Sequence, residues 1–127
     1  MSERVLLVED NAPALAQFQQ ALSLAGYQVT TAVNGLDGFA KAQAGQFDLC
    51  IVDHLMPLMN GPQLLKNLYA MGEQAPTGII FLTTQDLNTV EQLPEMCIAD
   101  IILSKPLSID DLLSNVEDIL TQTSACA

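Results

Sequence analysis

The chain has 127 residues, half of them hydrophobic, with 4 Lys plus Arg against 15 Asp plus Glu for a net charge of −11 and a pI near 4.1. That length predicts one domain burying roughly two thirds of its unfolded surface without disulfides or a structural metal, and the apolar content excludes a disordered tail. So few cations predict no direct nucleic-acid contact and no attraction to anionic lipid, and no apolar run approaches the ~18 residues of a membrane span.

Val5 to Val8 is a short, unbroken apolar run closed by Glu9-Asp10, the pattern of a strand buried on both faces. Asn11 and Pro13 then suit a helix start, and Leu15, Phe18, Leu22 and Ala25 recur at helical spacing before Gly26. Tyr27 to Ala32 is rich in β-branched residues, Asn34-Gly35 turns the chain, and Leu36, Phe39, Ala40 and Gln43 outline a second helix ending near Gly45. Phe47 to Val52 predicts a third strand ending at Asp53. A Pro- and Gly-containing loop follows from His54 to Gly61, then a helix presenting Leu64, Leu65, Leu68 and Met71. Gly78 to Leu82 predicts a fourth strand ending at Thr83, and Leu87, Val90 and Leu93 trace a helix that Pro94 shortens. Ile101 to Leu103 predicts a fifth strand broken by Lys105-Pro106. Ser108 with Asp111 then launches a last helix through Leu112, Leu113, Val116, Ile119 and Leu120, with residues 122–127 fraying.

Five strands alternating with helices predict an α/β fold: an open, doubly wound parallel sheet with helices on both faces in a single domain. Met1-Ser-Glu-Arg leads into a short apolar run with no small-residue cleavage site, which predicts no secretory signal, a free N-terminus and a cytoplasmic location. Cys50, Cys97 and Cys126 are odd in number and lack zinc spacing, so they read as reduced thiols.

In sheets of this kind the ligand site lies beyond the carboxyl ends of the strands. Those ends carry Glu9-Asp10, Asp53, Thr83 and Lys105, the last one of only three lysines. Three carboxylates brought together repel unless one is protonated or a divalent cation joins them, and oxygen-only donors favour Mg²⁺, which is commonly shared with phosphate oxygens. The chemistry this implies is phosphoryl transfer, with Asp53 as nucleophile and the Thr83 hydroxyl and Lys105 ammonium stabilising the phosphoryl oxygens.

With Val-Leu-Leu-Val-Glu-Asp-Asn at 5–11, Asp53-His-Leu-Met-Pro-Leu-Met-Asn-Gly61, Thr83 and Lys105-Pro106, the chain resembles the CheY-like response-regulator receiver domains of two-component signalling. The resemblance covers nearly the whole chain, with a core at about residues 4–121. It implies a flavodoxin-like sheet of order 2-1-3-4-5 with five helices. Asp53 would be the phosphoacceptor, Asp10 and the backbone carbonyl of Leu55 would be Mg²⁺ ligands with Asp53, and Glu9 would act through metal-bound water. Thr83 and Lys105 would hold the phosphoryl group. The implied donor is a sensor histidine kinase or phosphotransfer protein, the implied receiver a downstream protein or output domain. Family members often pair through the face of the fourth helix, fifth strand and fifth helix, which Pro94 and Ile102 alter here.

The chain departs from the family pattern at three places. Ile102 stands where an aromatic switch residue is usual, Thr84 where the residue is small, and Ile98-Ala99 where Gly-Ala is common. These imply that phosphorylation persists while the fourth-helix and fifth-strand face responds less. An apolar Leu55 beside Gln85 implies a long-lived phosphoryl state. The lone histidine, His54, is expected to face away from the pocket because neighbours on a strand alternate. Met56 and Met59 are expected to plug the base of the third helix, and Asp110, Asp111, Glu117 and Asp118 to favour the last helix's dipole and solubility. The runner-up function is a Mg²⁺-dependent phosphohydrolase with an aspartate nucleophile, which needs a second Asp where Leu55 stands. A flavin module needs a Gly- and Ser/Thr-rich loop where Asn11-Ala12-Pro13 stands.

Overall fold

The computed structural model describes residues 2–125, and the side chains of residues 2–122. Five strands, β1 (Arg4–Val8), β2 (Gln28–Ala32), β3 (Leu49–Asp53), β4 (Gly78–Thr83) and β5 (Ile101–Ser104), pair in parallel in the order β2-β1-β3-β4-β5. They alternate with α1 (Ala12–Leu24), α2 (Gly35–Ala44), α3 (Gly61–Tyr69), α4 (Leu87–Val90) and α5 (Ile109–Ala125).

The apolar runs separate into two cores because alternate strand residues point to opposite faces. Leu6, Val8, Cys50, Val52, Ile79 and Phe81 pack with Ala42 of α2 and Leu64, Leu65 and Leu68 of α3. Val5, Leu7, Leu49, Ile51, Ile80 and Leu82 pack with Phe18 and Leu22 of α1 and Leu112, Val116, Ile119 and Leu120 of α5. Strands β1, β3 and β4 therefore need apolar residues at every core position, whereas edge strands β2 and β5 keep partly exposed ones.

Each helix starts on a polar cap, shortly after the preceding strand except for α3, which follows the loop 54–60. Asn11 Oδ1 accepts from Ala14 N at 3.0 Å, Asn34 Oδ1 from Asp37 N at 2.7 Å and Asn60 Oδ1 from Gln63 N at 2.9 Å. Asp86 Oδ2 accepts from Thr89 N at 3.2 Å and Ser108 Oγ from Asp111 N at 3.1 Å. Acidic Asp110 and Asp111 occupy the first turn of α5, where the helix dipole favours them.

The boundaries differ from the sequence expectation where long-range contacts intervene. Phe47 and Asp48 precede β3: Phe47 packs beneath the Arg4 guanidinium at 4.9 Å, and the Asp48 carboxylate accepts from Arg4 N at 2.8 Å. Met71 lies beyond α3, which ends at Tyr69, yet it still packs on the first core. Pro94 ends the fourth helical segment after one α-turn and opens a 3₁₀ stretch over Pro94–Ile98. Helix α5 continues to Ala125, beyond the expected fraying at 122, and residues 126–127, with Cys126, lie outside the described residues, as does Met1. Cys50 is buried and unpaired, its thiol pushed up to about 12 by burial, and Cys97 is exposed and unpaired. Among the described residues no helix is long and apolar enough to cross a membrane.

The start of α3 sits tight against the sheet. A Cβ on Gly61 would come within 2.6 Å of the Asp53 carbonyl oxygen, 2.7 Å of Phe81 and 2.9 Å of the His54 Cα, and the Gly61 N–H donates to the His54 carbonyl at 2.8 Å. Gly61→Ala is therefore expected to destabilise the fold by about 1–3 kcal/mol through overpacking, against the ~1 kcal/mol gain an unhindered helix position would show. Urea unfolding at neutral pH measures it.

Candidate functional site

The carboxyl ends of β1, β3 and β4 and the residue after β5 converge at one end of the sheet. Register explains this, since Val8 pairs with Val52, Asp53 with Leu82 and Thr83 with Ser104, so Glu9, Asp53, Thr83 and Lys105 fall on adjacent strand ends. The Lys105 ammonium donates to Glu9 Oε1 at 2.7 Å and to Asp53 Oδ1 at 3.1 Å. Glu9, Asp53 and Thr83 are buried polar residues, while Asp10 is exposed. One carboxylate oxygen from each of Glu9, Asp10 and Asp53 lies within 4.8 Å of the other two. The Lys105-Pro106 peptide bond is cis.

Burial pushes the Asp53 carboxyl up to about 7, and adjacent Glu9 adds to the rise while Lys105 opposes it. Burial alone would pull the Lys105 ammonium down, but Glu9 and Asp53 outweigh it and hold it above its ordinary value. One ammonium against three carboxylates leaves the nest anionic. A cation with metal–oxygen distances of about 2.0–2.1 Å gathers oxygens to within about 4.2 Å of one another, so a small inward adjustment of these three would suit Mg²⁺, and the all-oxygen donors match its preference.

Thr83 does not bond Asp53. Its buried hydroxyl oxygen lies 2.8 Å from His54 Nδ1 and accepts from the Gln85 N–H at 2.9 Å. His54 keeps to the face of Val52 and Phe81, as strand alternation predicts, and meets the site only because the Thr83 hydroxyl lies on that same face. The His54 N–H bonds the Leu82 carbonyl at 2.9 Å, its ring tilts against Phe81 with centroids 5.3 Å apart, and burial pushes the imidazole down. The pairing of His54 with Thr83, 29 positions apart, was missed because no local pattern signals it. The Leu55 side chain is exposed, and Met56 and Met59 pack partly buried on the first core, with Asn67 Nδ2 donating to Met59 Sδ at 3.3 Å. Thr84 is exposed, and Ile102, Ile98 and Ala99 pack against the first core. Two open clefts of about 740 and 790 Å³, around Arg4 and Asp48 and around Tyr69 and Cys97, contain none of these site residues.

A family model described as the response regulator receiver domain matches residues 5–117. The transcriptional regulatory protein PcoR of Escherichia coli is 33% identical over 126 residues, covering 98% of this chain and 54% of that protein. The chain thus spans about half the length of the curated relatives it matches. A CheY-like receiver domain from Methanospirillum hungatei superposes with a TM-score of 0.91 at 25% identity, over 100% of both chains. The response regulator TrrA of Thermotoga maritima, solved in complex with Mg(2+)-BeF, superposes with a TM-score of 0.81 at 27% identity, over 92% of this chain and 98% of that one.

The raised Asp53 carboxyl has a consequence for stability. Between its ordinary value of 3.8 and about 7 the folded chain holds a proton that the unfolded chain has released, so stability falls as pH rises through that window. Urea unfolding in metal-free buffer at a series of pH values is expected to show this decline, and Asp53→Asn to flatten it.

Proposed function

The chain belongs to the response regulator receiver domain family of two-component signalling proteins, and from that premise we propose that Asp53 is its phosphoacceptor, with the receiver module spanning residues of about 4–121. The observation that carries this reading is the contact of one ammonium, Lys105, with both Glu9 and Asp53 at the strand ends. An Asp53 oxygen attacks the phosphorus of the donor, the bond from phosphorus to the donor breaks, and an acyl phosphate forms on Asp53. Lys105 then turns its donors toward the phosphoryl oxygens, and the Thr83 hydroxyl donates to another. Asp10, Asp53 and the Leu55 carbonyl would hold Mg²⁺, with Glu9 beside them, and the bound ion would supply charge neutralisation for those oxygens. Water attack on phosphorus later returns the Asp53 carboxylate and inorganic phosphate, so the chain's chemistry is confined to its own phosphorylation and dephosphorylation.

The phosphohydrolase alternative is disfavoured because Leu55, two residues past Asp53, has no proton to give a leaving group. The same apolar side chain cannot orient a hydrolytic water, which supports a long-lived phosphoryl state. The donor is a histidine kinase or phosphotransfer protein in the cytoplasm, and the output is a downstream protein or attached domain. A net charge of −11 assigns any nucleic-acid contact to another part of such a protein. Pairing with a second copy is assigned to the face of α4, β5 and α5, where β5 keeps Ile101, Ile102 and Leu103 partly exposed. Because Ile102 is packed against the core in place of an aromatic switch, that face responds less than the Thr83 region.

Incubation with Mg²⁺ and acetyl phosphate is expected to add the mass of one phosphoryl group to the intact chain. Asp53→Ala and addition of EDTA are each expected to abolish it. A label retained in Asp53→Ala would overturn the assignment.

A further inference from the structure

The Thr83 hydroxyl is fully buried and has one proton to give. The Gln85 N–H occupies one of its lone pairs at 2.9 Å, and His54 Nδ1 stands 2.8 Å from the same oxygen. The imidazole is not a loose surface group. Its backbone is fixed on both sides, with N–H to the Leu82 carbonyl and C=O from the Gly61 N–H, and Phe81 backs its ring. A side chain larger than hydrogen at position 61 would collide with the His54 Cα and with Phe81, so the close approach at Gly61 belongs to the same arrangement.

We propose that His54 is a positioning residue that latches Thr83, accepting the hydroxyl proton at Nδ1 in the unphosphorylated protein, so that a phosphoryl group on Asp53 must take that proton from the imidazole. The proposal rests on the phosphoacceptor reading of Asp53. Its physical basis is that one O–H cannot serve two acceptors fully, and that a buried hydroxyl stripped of its acceptor is unfavourable. Without the His54 nitrogen, the resting state carries a Thr83 hydroxyl that has lost this acceptor, and a phosphoryl oxygen takes it without competition from the imidazole. The latch therefore raises the threshold for the phosphorylated state without touching the reacting atoms. No covalent bond changes in this step. The Thr83 O–H exchanges one acceptor for another, and the Gln85 N–H keeps its own place on the hydroxyl oxygen.

The test uses the full chain with Mg²⁺ and beryllofluoride, a phosphoryl mimic, titrated by the amide resonances of Thr83 and Gln85. His54→Phe keeps a ring against Phe81 but removes the nitrogen, and is expected to bind beryllofluoride roughly fivefold more tightly, the worth of about one net hydrogen bond. His54→Asn sets an amide oxygen near the Nδ1 position and is expected to restore affinity close to that of the unsubstituted chain. In a Thr83→Ala background, His54→Phe is expected to change nothing, because the coupled partner is gone. Independently of any variant, the imidazole ¹⁵N spectrum is expected to show Nδ1 as the unprotonated nitrogen and to move when beryllofluoride is added. Binding that His54→Phe leaves unchanged or weakens, a tightening that persists with Thr83→Ala, or a protonated Nδ1 in the resting chain each overturn the latch alone. Beryllofluoride binding that is absent, or undiminished by Asp53→Ala, overturns the phosphoacceptor reading and the latch with it.

Discussion

Carboxylates that share a buried site need a proton or a counter-charge, and in this protein the Lys105 ammonium, 2.7 Å from Glu9 and 3.1 Å from Asp53, is the counter-charge. Removing one partner from a buried pair of this kind typically costs about 3–5 kcal/mol, because the remaining charge has lost its water as well as its partner. One cation cannot balance three acids, however. Asp53 is accordingly held toward its protonated form in the bare protein, and the site as a whole favours the arrival of positive charge. The same imbalance favours a hard divalent cation among these oxygens.

The sheet makes this arrangement possible by separating two tasks along each central strand. The interiors of β1, β3 and β4 are apolar at every core position because each side chain meets a helix on one face or the other. Their carboxyl ends emerge from that cover together, in register, so polar residues placed there meet without being buried in hydrocarbon. Caps on Asn11 and Asp86 begin the helices soon after β1 and β4, which keeps those connecting loops short around the site, while the longer loop after β3 ends at the Asn60 cap. Gly61 lets α3 start against the Asp53 carbonyl and so fixes the loop that carries His54 and Leu55.

His54 shows strand alternation carried one residue past the end of β3. Its N–H still bonds the Leu82 carbonyl of β4, so its ring lies against Phe81 on the face of Val52 and reaches the Thr83 hydroxyl there. Pro94 acts locally too, since its missing N–H and fixed φ shorten the fourth helix in the sequence and in the fold alike.

The sequence by itself determined the alternation of strands and helices, the two-sided burial of β1, β3 and β4, and the identities of Glu9, Asp10, Asp53, Thr83 and Lys105, because periodicity and strand-end polarity are local signals. Phe47, Met71 and the length of α5 were less legible, since the Arg4 contact and the first core decide where the first two lie. Only the tertiary structure decided that Lys105 bridges Glu9 and Asp53, and that the Thr83 hydroxyl meets His54 rather than Asp53. Those pairings join residues 96, 52 and 29 positions apart. No local rule reports the distance between side chains that sheet register and a single loop conformation bring within hydrogen-bond reach.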